Sequence, residues 1–184
     1  MHPAIVRARA VAAYAGWPAA SLRKVKYERE RDRARFLAGK LVEPLAALGQ
    51  VDVLIPVPLH AERQEWRGFN QSDVMARNLG ALTATGVELA IRRVKITESQ
   101  THLNREQRIA NLDGAIAIAP GWHADPAKHY VVLDDVYTTG TTIGACAEQL
   151  SQAGATKISA LTFAFDLQPK DLEAYRRLVS VALP

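Results

Sequence analysis

Short apolar runs and helical stripes alternate along the chain from residue 51 onward. VDVLIPVP, residues 51–58, is an apolar run closed by prolines and reads as a buried strand. Residues 70–82 follow as a helix, with Asn70 as its cap, Asp73 three positions on, and Val74, Met75, Leu79 and Leu82 on one side. VELAIRRV (87–94) and GAIAIAP (114–120) read as strands. About twenty polar residues without apolar periodicity separate them, a candidate mobile loop. YVVLDDV, 130–136, is the most apolar strand; TTIGACAEQLSQAG then predicts a helix stopped by Gly154, and TKISALTFAF a further strand. Strands alternating with helices predict an α/β fold, a parallel twisted sheet with flanking helices and right-handed crossovers. Before it, residues 22–48 read as helical, with Leu37, Leu41, Leu45 and Leu48 at spacings of three and four. After it comes a short helix opened near Pro169 and an extended end. The expected organisation is one domain over 1–184: a helical N-terminal region (1–50), a core (51–164) and a C-terminal extension (165–184).

Composition changes this picture little. A chain of 184 residues, 48% hydrophobic and 23% charged, can bury one sizeable core and is not a disordered sequence. The single cysteine, Cys146, excludes an internal disulfide and a Cys-based zinc site. A formal charge of +4 permits anionic partners but is too modest to identify nucleic acid. The Ala-rich start is interrupted by Gly16, Trp17 and Pro18, unlike a secretory signal, and no run approaches the ~18 apolar residues of a membrane span. A cytoplasmic protein is expected.

Chemistry concentrates in VVLDDVYTTGTTIG, residues 131–144, at a strand-to-helix turn. In open parallel sheets, ligands collect beyond the carboxyl ends of strands. Thr138, Thr139, Gly140, Thr141 and Thr142 stand there, offering hydroxyls, backbone N–H groups and a glycine that lets an anion approach. With the positive end of the following helix they make a candidate cradle for a phosphate monoester. The segment has neither a Walker A loop nor the dinucleotide pattern G-x-G-x-x-G. Asp134 and Asp135 just upstream would repel a phosphate unless they face a diol or a divalent cation. A ribose 5-phosphate supplies both ends. Neighbouring strand residues point to opposite faces, so both acids reach one ribose only if the strand is turning there. The competing reading is structural: an aspartate capping a turn, and threonines hydrogen-bonded into a helix start.

This segment resembles the phosphoribosyl pyrophosphate signature of type I phosphoribosyltransferases. IPVPLHAERQEWRGFNQSDVMARNL (55–79) and ITESQTHLNREQRIANLDGAI (96–116) resemble two stretches of ComF-type proteins, and Val25-Lys26-Tyr27 resembles their Lys-Tyr element. The likeness runs over residues 20–164 in order. It lacks the family's N-terminal cysteine cluster, a zinc-binding module in appearance, and it does not reach the last twenty residues.

What the resemblance implies is a type I phosphoribosyltransferase-like fold binding phosphoribosyl pyrophosphate and Mg²⁺, the metal held largely through ligand oxygens. Ribose 5-phosphate would pass to an unknown acceptor, with Asp134 and Asp135 as the catalytic couple. Pro58, Leu59 and His60 would face the pyrophosphate through backbone N–H groups, and Arg67 would contact phosphate or a helix end. Residues 92–108 would form a closing lid, with Lys95, Arg105 and Arg108 on the leaving group. The alternative is a non-catalytic accessory protein in DNA uptake that uses the pocket for ligand sensing, with single-stranded DNA or DNA-uptake proteins as partners and a homodimer as a fair expectation. The basic stripe at 23–40 could meet a nucleic-acid backbone or be a solvated helix face. Trp17, Trp66 and Trp122 are too scattered in sequence to claim a base-stacking platform.

Overall fold

The computed structural model describes residues 2–94 and 114–166. Five parallel strands form its sheet, in the order β1 (Arg7–Ala13), β7 (Lys157–Phe165), β6 (His129–Tyr137), β2 (Val53–Pro56) and β3 (Gly86–Val87). A separate antiparallel pair, β4 (Ile91–Arg93) and β5 (Ile116–Ile118), stands off it. The helices are α1 (Gly16–Tyr27), α2 (Arg31–Gly39), α3 (Val42–Ala46), α4 (Ala61–Arg67), α5 (Gln71–Thr83) and α6 (Thr141–Gln152).

The central strands are apolar throughout because both of their faces are covered. Alternation sends Val131, Leu133, Leu161 and Phe163 into one core, packed on Leu22, Leu37, Leu41, Met75 and Leu79 from α1, α2 and α5. Tyr130, Val132 and Ile158 go into the other, against Ile143, Cys146 and Leu150 of α6 and Ile91 and Ile116 of the antiparallel pair. Each such fully buried aliphatic side chain contributes roughly 1.5–3 kcal/mol. Two helices are fixed at their ends as expected. The Asn70 Oδ1 accepts the Ser72 N–H at 3.0 Å, while its Nδ2 donates to the Val57 carbonyl at 3.0 Å, tying α5 to the end of β2. Gly154, at φ +103°, ends the turn after α6.

The fold departs from the expectations in four places. The N-terminal region is not wholly helical: Arg7–Ala13 is an edge strand of the sheet. Its period-two pattern buries Ala8 and Ala10 between outward arginines, but alanine favours helices and hides the signal. Residues 22–48 are three helices, interrupted where Arg29 takes φ +57° and again before Val42. The expected strand at 87–94 divides, since β3 joins the parallel sheet beside β2 and completes a β2–α5–β3 crossover, whereas β4 pairs antiparallel with β5. Leu82 is exposed rather than on the buried side of α5, and α4 had no apolar periodicity to announce it. The extension 165–184 falls outside the described residues after Asp166. Among the described residues, no helix is long and apolar enough to cross a membrane.

Candidate functional site

A cavity of about 390 Å³ opens beyond the carboxyl ends of β2 and β6. Asp134, Asp135, Thr138, Gly140, Thr141 and Thr142 all line it, together with Pro58, Leu59 and Arg67. His60 and Thr139 do not line it. The Nδ1 of His60 accepts the Glu62 N–H at 3.3 Å as the N-cap of α4, and the Thr139 hydroxyl lies 2.7 Å from that of Thr141 on the exposed rim. Lys95, Arg105 and Arg108, with most of the expected lid at 92–108, fall outside the described residues.

The bend between β6 and α6 is lined by threonine hydroxyls. Gly140 holds φ +75°, a left-handed conformation that glycine takes freely. No side chain caps α6 apart from a long 3.5 Å contact from the Thr141 N–H to the Thr139 hydroxyl, so its first N–H groups and positive dipole end face the cavity region.

The two acids are held differently. The Asp135 carboxylate is buried and lies 2.5 Å from the Lys26 ammonium, which α1 brings across. Burial pushes the Lys26 ammonium down, but the attraction and hydrogen bond to Asp135 more than offset this, and its pKa ends above the ordinary lysine value. Asp134 accepts 3.0 Å and 2.9 Å hydrogen bonds on Oδ1 from the Ser72 hydroxyl and the Asp135 N–H. Asp134 thus reaches α5 and Asp135 reaches α1, while β6 continues paired with β7 to Tyr137.

Asp134 is half-buried by surface area yet closely surrounded. Burial, with the Asp135 charge beside it, pushes its carboxyl up to about 7. An acid raised in the folded state stabilises the fold fully below its unfolded value near 4, and that contribution is lost as pH rises through 7. Asp134→Asn, which mimics the protonated acid, is therefore expected to gain on the order of 2 kcal/mol at pH 8, about 4–8 °C in Tm. The gain should shrink steadily from pH 7 towards 4. Thermal scans across this range check it, and a gain that grows on acidification would refute the assignment.

Arg67, the last residue of α4, is buried, donates to the Gln71 side chain, and keeps its Nε without a hydrogen-bond partner among the described residues. Desolvation lowers its pKa, and Asp135 counters that. Lys26, Tyr27, Arg63, Trp66, Ser72 and Arg93 complete the site and were not among the expected site residues. The Lys-Tyr element at 26–27, the ComF-like stretch at 55–79 and the expected lid at 92–108 contain them, but none was singled out as a site residue.

Fold and cavity define an open parallel α/β protein with a cavity at the carboxyl edge of its sheet. No family model matches the chain. It is 33% identical over 155 residues to the DNA utilization protein YhgH of Escherichia coli O157:H7, covering 80% of this chain and 67% of that protein. It is 32% identical to Competence protein F of Haemophilus influenzae, over 71% of this chain and 58% of that one. Against Competence protein ComFC of Bacillus subtilis the figures are 32% identity, 60% and 43%. The chain belongs to the ComF family. It spans about three fifths of the length of Competence protein F. Similar solved structures include orotate phosphoribosyltransferase from Aeropyrum pernix (18% identity, 85% of this chain and 72% of that one, TM-score 0.46) and purine phosphoribosyltransferase from Pyrococcus horikoshii (25%, 73% and 73%, 0.40). At these TM-scores the likeness carries no functional argument.

Proposed function

We propose that the cavity binds phosphoribosyl pyrophosphate with Mg²⁺ and that the protein transfers ribose 5-phosphate from it. The single observation that supports this most is the meeting, in one cavity, of a hydroxyl-lined bend at an uncapped helix N-terminus with a paired set of carboxylates. The bend would take the 5-phosphate. Asp134 and Asp135 would accept hydrogen bonds from the ribose diol. The backbone at Pro58–Leu59 and the Arg67 guanidinium would hold the pyrophosphate.

Among the described residues no three carboxylate, histidine or thiol groups gather into a metal cage. The hard carboxylate oxygens of Asp134, not engaged by a lysine as Asp135 is, still suit a magnesium ion bound mainly by ligand phosphates. When bound, the ion would offset charge on the departing pyrophosphate. In the transfer, the C1–O bond to pyrophosphate breaks with its electron pair leaving on the pyrophosphate. An acceptor lone pair forms the new bond to C1, and a proton on the acceptor is released to water or to pyrophosphate. The chain's part is positioning and charge, and no protein nucleophile is required.

Isothermal calorimetry with phosphoribosyl pyrophosphate and Mg²⁺ is expected to show binding that weakens at least tenfold in Asp134→Asn/Asp135→Asn. Unchanged binding in that double variant, or none in the wild type, would remove the proposal.

A second reading keeps the pocket and drops the transfer: a ligand-sensing accessory protein in DNA uptake or use. The names of the relatives support it. Pyrophosphate release in the presence of an acceptor panel separates the two. The basic stripe lends direct DNA binding little support. Lys24 faces Glu28 and Glu30, Arg33 faces Glu30, Arg35 faces Asp32, and Lys26 is committed to Asp135.

A further inference from the structure

The Lys-Tyr element at 26–27 brings a cation into the cavity from outside the β6–α6 segment. Leu22 and Val25 of α1 are buried in the core, so the helix that carries Lys26 is held in place. From there the ammonium reaches the end of β6 and lies 2.5 Å from the Asp135 carboxylate. Two adjacent acids in a site for an anionic ligand need a counter-charge, and α1 supplies one as part of the fold. Burial opposes the charge on Lys26 and the two carboxylates restore it, so the lysine stays an ammonium across the neutral range.

The hydrogen-bonding groups left over are complementary to a vicinal diol. An ammonium has three N–H donors and no acceptor. One serves Asp135, and among the described residues Lys26 makes no other hydrogen bond or salt bridge. Its side chain is 23% exposed and lines the cavity. Asp134 is the reverse case: its Oδ1 accepts from the Ser72 hydroxyl and the Asp135 N–H, whereas its Oδ2 accepts no hydrogen bond among the described residues. The wall thus offers spare donors near a spare acceptor, and each hydroxyl of a diol is at once a donor and an acceptor. A sugar lacking one of the two hydroxyls leaves one of these charged groups unmatched.

We infer that Lys26 is the residue that distinguishes a ribose ester from a 2-deoxyribose ester, its ammonium donating to one hydroxyl of the diol while Asp134 accepts from the other. The inference rests on the phosphoribosyl reading above and adds to it a specificity-determining residue from a helix outside the acid-and-threonine segment. Lysine suits this task better than arginine. A planar guanidinium would commit two N–H groups to the Asp135 carboxylate and hold them there, whereas an ammonium on a flexible stem satisfies the acid and a hydroxyl together.

Calorimetry with ribose 5-phosphate and 2-deoxyribose 5-phosphate tests it, in EDTA so that no metal ion substitutes for the ammonium. The wild type is expected to prefer the ribose ester about 10- to 100-fold, the worth of a hydrogen bond to a charged group. Lys26→Met should bring that ratio below about threefold by weakening the ribose ester alone, so that the deoxyribose ester reports an intact bend and fold. Lys26→Arg should keep the wild-type Tm and still narrow the ratio. Should the methionine variant not fold, the arginine variant decides alone. The inference is overturned if the wild type binds neither ester or both alike, if a folded variant keeps the full ratio, or if folded Lys26→Met weakens both esters equally. Phosphoribosyl pyrophosphate with Mg²⁺, titrated into the wild type, keeps the two readings apart. Its binding beside a ratio that Lys26 does not control sinks only the role of Lys26, and its failure to bind sinks the phosphoribosyl reading.

Discussion

Lys26→Met is expected to destabilise the fold by roughly 3 kcal/mol at pH 7, and Asp135→Asn in the same chain to recover most of that loss. The reason is the position of the pair. Asp135 is 5% exposed at the end of a central strand, and its ion-pair partner among the described residues is the Lys26 ammonium at 2.5 Å. Methionine keeps the volume and the helix propensity of lysine, so α1 itself is not perturbed. What changes is that a buried carboxylate loses its counter-charge, with a half-buried second acid beside it. Breaking a buried pair by removing one member costs about 3–5 kcal/mol, and partial exposure of the lysine places the figure at the lower end. Removing both charges leaves no orphan. Urea unfolding of the wild type, both single variants and the double variant forms the cycle. A coupling below about 1 kcal/mol would mean that Lys26 is a surface cation without a structural role.

That pair also marks the limit of what the chain reveals before folding. The acids, the threonines and Gly140 lie in one continuous segment whose strand and helix follow from strong local periodicity, so the fold there and most of that wall of the cavity were legible together. β2, α5, β6, α6 and β7 were readable for the same reason. Lys26, Tyr27 and Trp66 lie in stretches that resemble the family, but nothing in those stretches shows that they meet at the cavity. Their meeting is a product of how α1 and α4 pack at the sheet edge, and no short-range pattern encodes that. β1 was hidden by a different conflict, in which alternating alanines satisfy a strand pattern while favouring a helix. The His60 expectation met a third: a histidine after a proline turn can cap a helix as readily as face a ligand, and here it caps α4.

Gly140→Ala is expected to weaken phosphate-ligand binding at least 100-fold. Two independent costs arise. The residue sits at φ +75°, where an alanine pays about 1 kcal/mol or more in backbone strain. The added Cβ would also lie 2.3 Å from the Tyr137 hydroxyl oxygen and 2.6 Å from its Cζ, well inside van der Waals contact. Tyr137 is 6% exposed within the core, so its ring has little room to retreat, and the bend must move instead. Moving it would swing the first N–H groups of α6 away from the phosphate that the proposed function assigns to them. A misplaced preorganised donor set of this kind costs about 10²-fold or more in affinity or rate. Gly144→Ala is the control, because it lies within α6 at an ordinary helical φ and the nearest atoms to its Cβ would be those of the His2 side chain, at 3.2–3.3 Å. Calorimetry with phosphoribosyl pyrophosphate on the two variants should separate them by about two orders of magnitude. Equal affinities would place the ligand's phosphate somewhere other than this bend.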